Sequence, residues 1–237
     1  MKKLALVGKN IQHSKSPEIY RKILGTNIQY DLLDFEKAED MPLAKDLLAI
    51  YDGISITSPY KKHFLPQIKL TNQAELLGAI NCLKLSNGVI YGENTDFFAI
   101  QNILTELINK YNNLNIIILG DGVMSDVTRH ALAKFDSILF KVFSRKTVEQ
   151  FDRLNLIDTF QLNFLNGNQK LVINTCSRDF VFKGLIDRKT IFWDYNYNFS
   201  QQLPLVSALV NQYIDGMPML ELQARYALSF WSDITND

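Results

Sequence analysis

Leu114-Asn115-Ile116-Ile117-Ile118-Leu119-Gly120-Asp121-Gly122 is a nearly unbroken apolar run that ends in two glycines one residue apart. A run this short, bounded by turn residues, predicts a strand buried on both faces of a parallel sheet. A helical pattern follows from Val123 to Phe135. Strand, glycine turn and helix together make the start of a βαβ unit. In such a turn the first glycine permits the tight bend and the second lets the backbone approach a pyrophosphate. The helix N-terminus then receives the negative charge. Ser125 stands where a third glycine would complete the pattern, and Asp121 sits where an anion would arrive.

The next predicted strand ends in Phe143-Ser144-Arg145-Lys146. A carboxylate at this place takes the ribose hydroxyl of NAD, whereas an arginine suits the 2′-phosphate of NADP. The residues therefore favour NADP, if a nucleotide binds at all. The same stretch also reads as an ordinary βαβ turn followed by two solvated cations, and the spacing leaves both readings open.

Outward from this unit, short β-like runs alternate with helical patterns over the whole chain. The fold class is therefore α/β with mainly parallel strands. Strands are predicted in 3–8, 27–35 and 52–57, a hairpin turns at Ser86-Asn87-Gly88, and further strands fall in 137–144, 170–175 and 190–195. A helix from Phe97 to about Tyr111 carries an apolar stripe. A last helix spans 219–231 and returns to the first half of the chain. Two domains are expected, 1–97 with 215–237, and 98–214.

The 237 residues include 25 basic and 25 acidic side chains, with no block of one sign. No field argues for nucleic acid or an anionic membrane, so the expected partner is a small molecule. No apolar run is long enough to span a bilayer, and Met1 to Asn10 reads as a first strand rather than a leader. Two cysteines suit a reducing, cytoplasmic setting. His13, His63 and His130 lie far apart, and no metal site is expected. The protein is expected to be a monomer or a homodimer.

Three stretches carry more than fold. His13-Ser14-Lys15-Ser16-Pro17 opens a short helix, with Ser16 expected as its N-cap and Pro17 at the first helical position. Ser14 is then a hydroxyl without an assigned job. Thr57-Ser58-Pro59-Tyr60-Lys61-Lys62 lies at the carboxyl end of a strand, where open α/β sheets place ligands. A buried lysine there can move a proton, although a lysine pair after a turn is more often simply solvated. Asp96 is expected as the N-cap of the Phe97 helix, with the further option of holding a catalytic amine. Gln223 falls near the inner face of the last helix, as a core hydrogen-bonder or a ligand contact.

Together these stretches resemble the shikimate dehydrogenase family, in order and over nearly the whole chain. The family's H-S-x-S-P is matched from His13 to Pro17. Its V-T-x-P-[FYH]-K is matched by Ile56-Thr57-Ser58-Pro59-Tyr60-Lys61, its A-x-N-T is close to Ala79-Ile80-Asn81-Cys82, and its G-x-N-T-D to Gly92-Glu93-Asn94-Thr95-Asp96. The closing D-G-x-x-M-L-x-x-Q-A is matched from Asp215 to Ala224.

The resemblance implies a substrate domain at the N-terminus and a Rossmann-like NADP(H)-binding domain after it. It also implies reversible NADPH-dependent reduction of 3-dehydroshikimate to shikimate. It gives Lys61 and Asp96 the catalytic roles and Ser14 and Ser16 the substrate carboxylate. Thr57, Asn81, Asp96 and Gln223 would hold the ring, and Tyr197 would close over it. Gly120, Gly122, Val123, Ser144, Arg145 and Lys146 would contact the cofactor.

The departures are in the cofactor half. The family's G-A-G-G-[AS] becomes Gly120-Asp121-Gly122-Val123-Met124, and its N-R-T becomes Ser144-Arg145-Lys146. Its N-A-T-S-x-G becomes Asn174-Thr175-Cys176-Ser177-Arg178-Asp179, without the glycine. Two alternatives follow: a shikimate-binding protein that no longer binds the cofactor, or a dehydrogenase of quinate or another hydroxy acid.

Overall fold

The computed structural model describes residues 1–111, 114–164 and 169–232. The chain divides into two compact units, one made of Met1–Ala99 with the stretch from Leu220 onward, the other of Ile100–Met219.

The first unit holds a six-stranded mixed sheet in the order β2-β1-β3-β5-β6-β4. Its strands are β1 (Lys2–Gly8), β2 (Ile28–Asp34), β3 (Gly53–Ile56), β4 (Lys69–Leu70), β5 (Cys82–Ser86) and β6 (Val89–Glu93). β1 pairs in parallel with β2 and β3, and β5 runs antiparallel to both β3 and β6. The β5–β6 hairpin turns where the sequence predicts it, with Asn87 and Gly88 both at positive φ (49° and 74°). Two consecutive residues in that region match the twist of the flanking strands, and asparagine and glycine are the residues that reach it most easily.

Helices α1 (Ser16–Leu24), α2 (Ala44–Leu48) and α3 (Asn72–Leu77) connect these strands. Leu4 to Val7 of β1 are all buried, as expected of a central strand. Tyr20 of α1 stacks on Tyr30 of β2 and on Trp231 (ring centroids 4.8 and 5.7 Å apart). Trp231 belongs to the last helix, α8 (Met217–Ser232). Its indole N–H donates to the Leu83 carbonyl at 3.0 Å, and its ring lies so close over Gly53 that a Cβ there would come within 2.6 Å. The final helix is therefore sewn into the first unit's sheet.

The second unit is an all-parallel five-stranded sheet in the order β11-β10-β9-β7-β8. Its strands are β7 (Asn115–Leu119), β8 (Leu139–Phe143), β9 (Lys170–Asn174), β10 (Thr190–Asp194) and β11 (Gln212–Ile214). Ile116 to Leu119 and Leu171 to Ile173 are fully buried, the both-faces burial that the apolar runs predict. Helix α4 (Thr95–Lys110) precedes β7, α5 (Val123–Leu132) follows it, and α6 (Leu156–Asn163) and α7 (Leu203–Ser207) complete the connections.

Two capping expectations are corrected. Ser16 is the first residue of α1 rather than its N-cap, and Pro17 is the second. The capping position is Lys15, whose side chain makes no cap hydrogen bond. Instead the Ser14 hydroxyl accepts the Ser16 backbone N–H at 3.2 Å. Asp96 is not the cap of α4 either: the helix begins at Thr95, and the Asn94 side-chain oxygen accepts the Phe97 N–H at 3.3 Å. Asparagine caps as well as aspartate does, which releases the Asp96 carboxylate for another partner.

Candidate active site

The released carboxylate of Asp96 meets Lys61. The ammonium Nζ donates to Asp96 Oδ2 at 2.5 Å, and both side chains are about nine-tenths buried (7% and 10% exposed). Lys61 lies in the turns that follow β3, beyond a cis Ser58–Pro59 peptide. Its carbonyl accepts the Ile80 N–H at 2.9 Å, which fixes the turn against the segment leading into β5. A charge pair this dry persists only when each ion compensates the other. Lys62, by contrast, is exposed, so the two lysines separate into one buried and one solvated.

Beside the pair lies a polar cluster that joins three distant parts of the sequence. Asn81 Nδ2 donates to Thr95 Oγ1 at 3.0 Å and to Gln223 Oε1 at 3.4 Å. Asn81 Oδ1 accepts the Thr95 backbone N–H at 2.7 Å. Gln223 Nε2 donates to the Leu220 carbonyl at 3.1 Å. Asn81, Thr95 and Gln223 are all buried, and Thr95 immediately precedes Asp96. Thr95 is the member that the sequence reading missed, although it stands inside the quoted Gly92-to-Asp96 match. Asn94 is likewise committed, its amide donating to the Ala79 carbonyl at 3.0 Å.

Ser14 and Ser16 form a pair of their own, the Ser14 hydroxyl donating to Ser16 Oγ at 3.2 Å. They follow β1, as Thr57 follows β3. Thr57 is half-buried, and its N–H donates to the Val7 carbonyl at 2.9 Å. Since Val7 pairs with Ile56, both segments leave the same carboxyl edge of the sheet. The structure thus brings together Lys61 with Asp96, Asn81 with Gln223, and Ser14 with Ser16. Tyr197 belongs to the second unit.

In that second unit the glycine turn is built as its sequence requires. Gly120 has φ of +111°, and a Cβ on it would lie 2.6 Å from Thr175 Oγ1. Gly122 is the N-cap of α5, with no side-chain cap bond and nothing within 4 Å of where its Cβ would be. The space beside Gly122 is therefore open at the N-terminus of α5. An anion such as a cofactor pyrophosphate fits there. Ser125, in the place of the third glycine, is buried inside the unit.

Asp121 does not remain a naked charge in front of the helix. Its carboxylate accepts from Lys146 Nζ at 2.9 Å, and this ammonium lowers its pKa from the ordinary aspartate value. Arg145 pairs more loosely with Asp179, at 3.7 Å. Ser144 is buried, its hydroxyl accepting the Lys146 N–H at 3.2 Å.

Tyr197 follows β10 in a loop held from two sides. Arg178 donates to the Tyr197 and Asn198 carbonyls at 2.9 and 3.0 Å. Asp194, fully buried, accepts from Asn174, Tyr213 and both the backbone and the side chain of Asn196, at 2.9–3.1 Å. Burial pushes the Asp194 carboxyl upward against these donors. This network escaped sequence reading because nothing in the spacing of Asn174, Asp194 and Tyr213 marks them as neighbours. The parallel pairing of β9, β10 and β11 creates the contact.

Among the described residues no group of three or more His, Cys, Asp or Glu is placed to hold a metal ion. Nor, among the described residues, is any helix long and apolar enough to cross a membrane.

Residues 6–83 match the family model for the shikimate dehydrogenase substrate binding domain. Shikimate dehydrogenase (NADP(+)) of Buchnera aphidicola subsp. Schizaphis graminum is 31% identical over 97% of this chain and 92% of its own length. This chain belongs to the shikimate dehydrogenase family. A second member, shikimate dehydrogenase (NADP(+)) of Methanococcus aeolicus, is 25% identical over 100% of the chain and 94% of its own length. Among solved structures, shikimate dehydrogenase from Aquifex aeolicus superposes with a TM-score of 0.75 at 23% identity, covering 98% of this chain and 93% of that one. The family likeness thus spans both units, including the one whose motifs depart most.

Proposed function

We propose that the protein is an NADP-dependent shikimate dehydrogenase, interconverting 3-dehydroshikimate and shikimate. The observation that carries this reading is the buried Lys61–Asp96 pair beside the Asn81–Thr95–Gln223 cluster, in a chain of this family. A buried lysine held by a carboxylate, next to amides that can meet hydroxyls, suits a polyhydroxylated ring that must exchange one proton.

The roles follow from the side chains. Lys61 gives its proton to the carbonyl oxygen during reduction and takes it back from the hydroxyl during oxidation. Asp96 holds the ammonium in place. Asn81, Gln223 and the outer carboxylate oxygen of Asp96 orient the ring hydroxyls, with Thr57 at the neighbouring strand end. Ser14 and Ser16 take the substrate carboxylate at the start of α1, where the helix dipole favours an anion. Tyr197 closes over the ring from its braced loop. The first unit, 1–97 with 215–237 as drawn from sequence, is the substrate domain. The stretch 98–214 is the cofactor domain, with Gly120, Gly122 and Val123 at the pyrophosphate and Ser144, Arg145 and Lys146 towards the adenosine 2′-phosphate. The cofactor supplies the hydride when bound.

Incubating the protein with shikimate or quinate, each with NADP⁺ or NAD⁺, and following absorbance of the reduced nicotinamide tests this assignment. Turnover of shikimate with NADP⁺ is expected. Turnover of quinate alone would replace the substrate assignment. Shikimate binding by calorimetry without turnover by either cofactor would replace the dehydrogenase with a binding protein.

A further inference from the structure

Both cations of the Ser144-Arg145-Lys146 turn already hold a carboxylate of the chain itself. Lys146 pairs with Asp121 at 2.9 Å and Arg145 with Asp179 at 3.7 Å. The carboxylate of the second contact has a further partner. The Ser177 hydroxyl donates to the other oxygen of Asp179, which aims the carboxylate. Arg145 and Asp179 also line one cavity of about 650 Å³, together with Val148, Phe151, Phe180 and Lys183. Asp121 likewise lies between the two glycines at the mouth of α5. A dianionic phosphate brought to Arg145 and Lys146 therefore competes with one carboxylate on each cation and remains close to both.

We propose that Asp121 and Asp179 are specificity-determining residues, each occupying a cation that a 2′-phosphate would otherwise take, so that the chain separates NADP from NAD less sharply than Arg145 and Lys146 alone would. The inference rests on the reading of this unit as the cofactor domain. NAD, which lacks the 2′-phosphate, has no need to displace either carboxylate; whatever Asp121 does to the pyrophosphate at the mouth of α5 is common to both dinucleotides and cancels in their ratio. The sign is therefore definite: neutralising the aspartates improves binding of the 2′-phosphorylated ligand.

Calorimetric titration of the whole protein with adenosine 2′,5′-bisphosphate and with 5′-AMP tests this directly, without turnover. The side chains of Asp121 and Asp179 are 44% and 66% exposed, so Asp121→Asn and Asp179→Asn leave no buried gap. Exposed pairs couple weakly, so each variant is expected to tighten the bisphosphate by roughly two- to fivefold relative to 5′-AMP. The gain should shrink as salt is raised. An unchanged ratio of the two affinities in both variants, with Arg145→Ala still weakening the bisphosphate, would overturn the proposal while leaving the cofactor site intact. A wild-type protein that does not prefer the bisphosphate, with Arg145→Ala changing nothing, would overturn the cofactor reading and the proposal with it.

Discussion

Ser14, proposed to take the substrate carboxylate, also serves the fold. Its hydroxyl accepts the first N–H of α1 and donates to Ser16 Oγ, so under the proposed role a carboxylate would meet two hydroxyls already aligned. Ser14→Ala is expected to raise KM for shikimate and also to lower the melting temperature. The stability change corresponds to the loss of a capping bond, about 0.5–2 kcal/mol. Thermal melts beside steady-state kinetics separate the two effects, and an unchanged KM would remove Ser14 from the substrate site. The thiols carry the opposite message. Burial pushes the Cys176 pKa up to about 12 and raises that of Cys82 still further. A raised thiol pKa keeps the group protonated, so the thiolate fraction at pH 8 is on the order of 10³ lower than for a free cysteine. Iodoacetamide should accordingly label the native chain about that much more slowly than the unfolded chain at this pH. Rapid native labelling would show that one thiol is accessible and ionised.

At the scale of elements, what sequence made legible were the long or strongly patterned ones. The apolar runs became β1, β7, β9 and β10, and Asn87-Gly88 became a hairpin turn, because burial on both faces and positive φ leave strong marks on composition. Helix α6 went unread: it is only eight residues long, and its buried stripe amounts to Leu156, Thr159 and Phe160. Asn155, whose side chain accepts the Asp158 N–H at 3.2 Å, was the signal that could have found it. The cap of α4 was misassigned because Asn94 and Asp96 are both good caps, and only the geometry says which is used. The last helix makes its own prediction. Trp231 fills the space over Gly53 and reaches Leu83, so Trp231→Ala should destabilise the first unit by about 3–5 kcal/mol. Chemical denaturation monitored by circular dichroism measures this, and a loss below about 1 kcal/mol would mean that α8 is only loosely held.

For the whole molecule, the candidate site was legible as residue types in order, but not as a network. Lys61, Asn81, Asp96 and Gln223 could be named from motifs, yet Thr95 emerged as a shared partner of Asn81 and Gln223 only once β5, α4 and α8 were brought together. The second unit was harder, because its turn departs from the family pattern while Gly120, at φ +111° and against Thr175, still has to be glycine. The central claim is that the buried lysine of this site moves the proton of the reaction rather than merely binding the ring. Steady-state kinetics of Lys61→Ala against the wild type, with shikimate and NADP⁺, test it most directly. Loss of a general acid–base group predicts kcat lower by about 10²–10⁴-fold with KM for shikimate changed far less. A rise in KM with kcat preserved would contradict it.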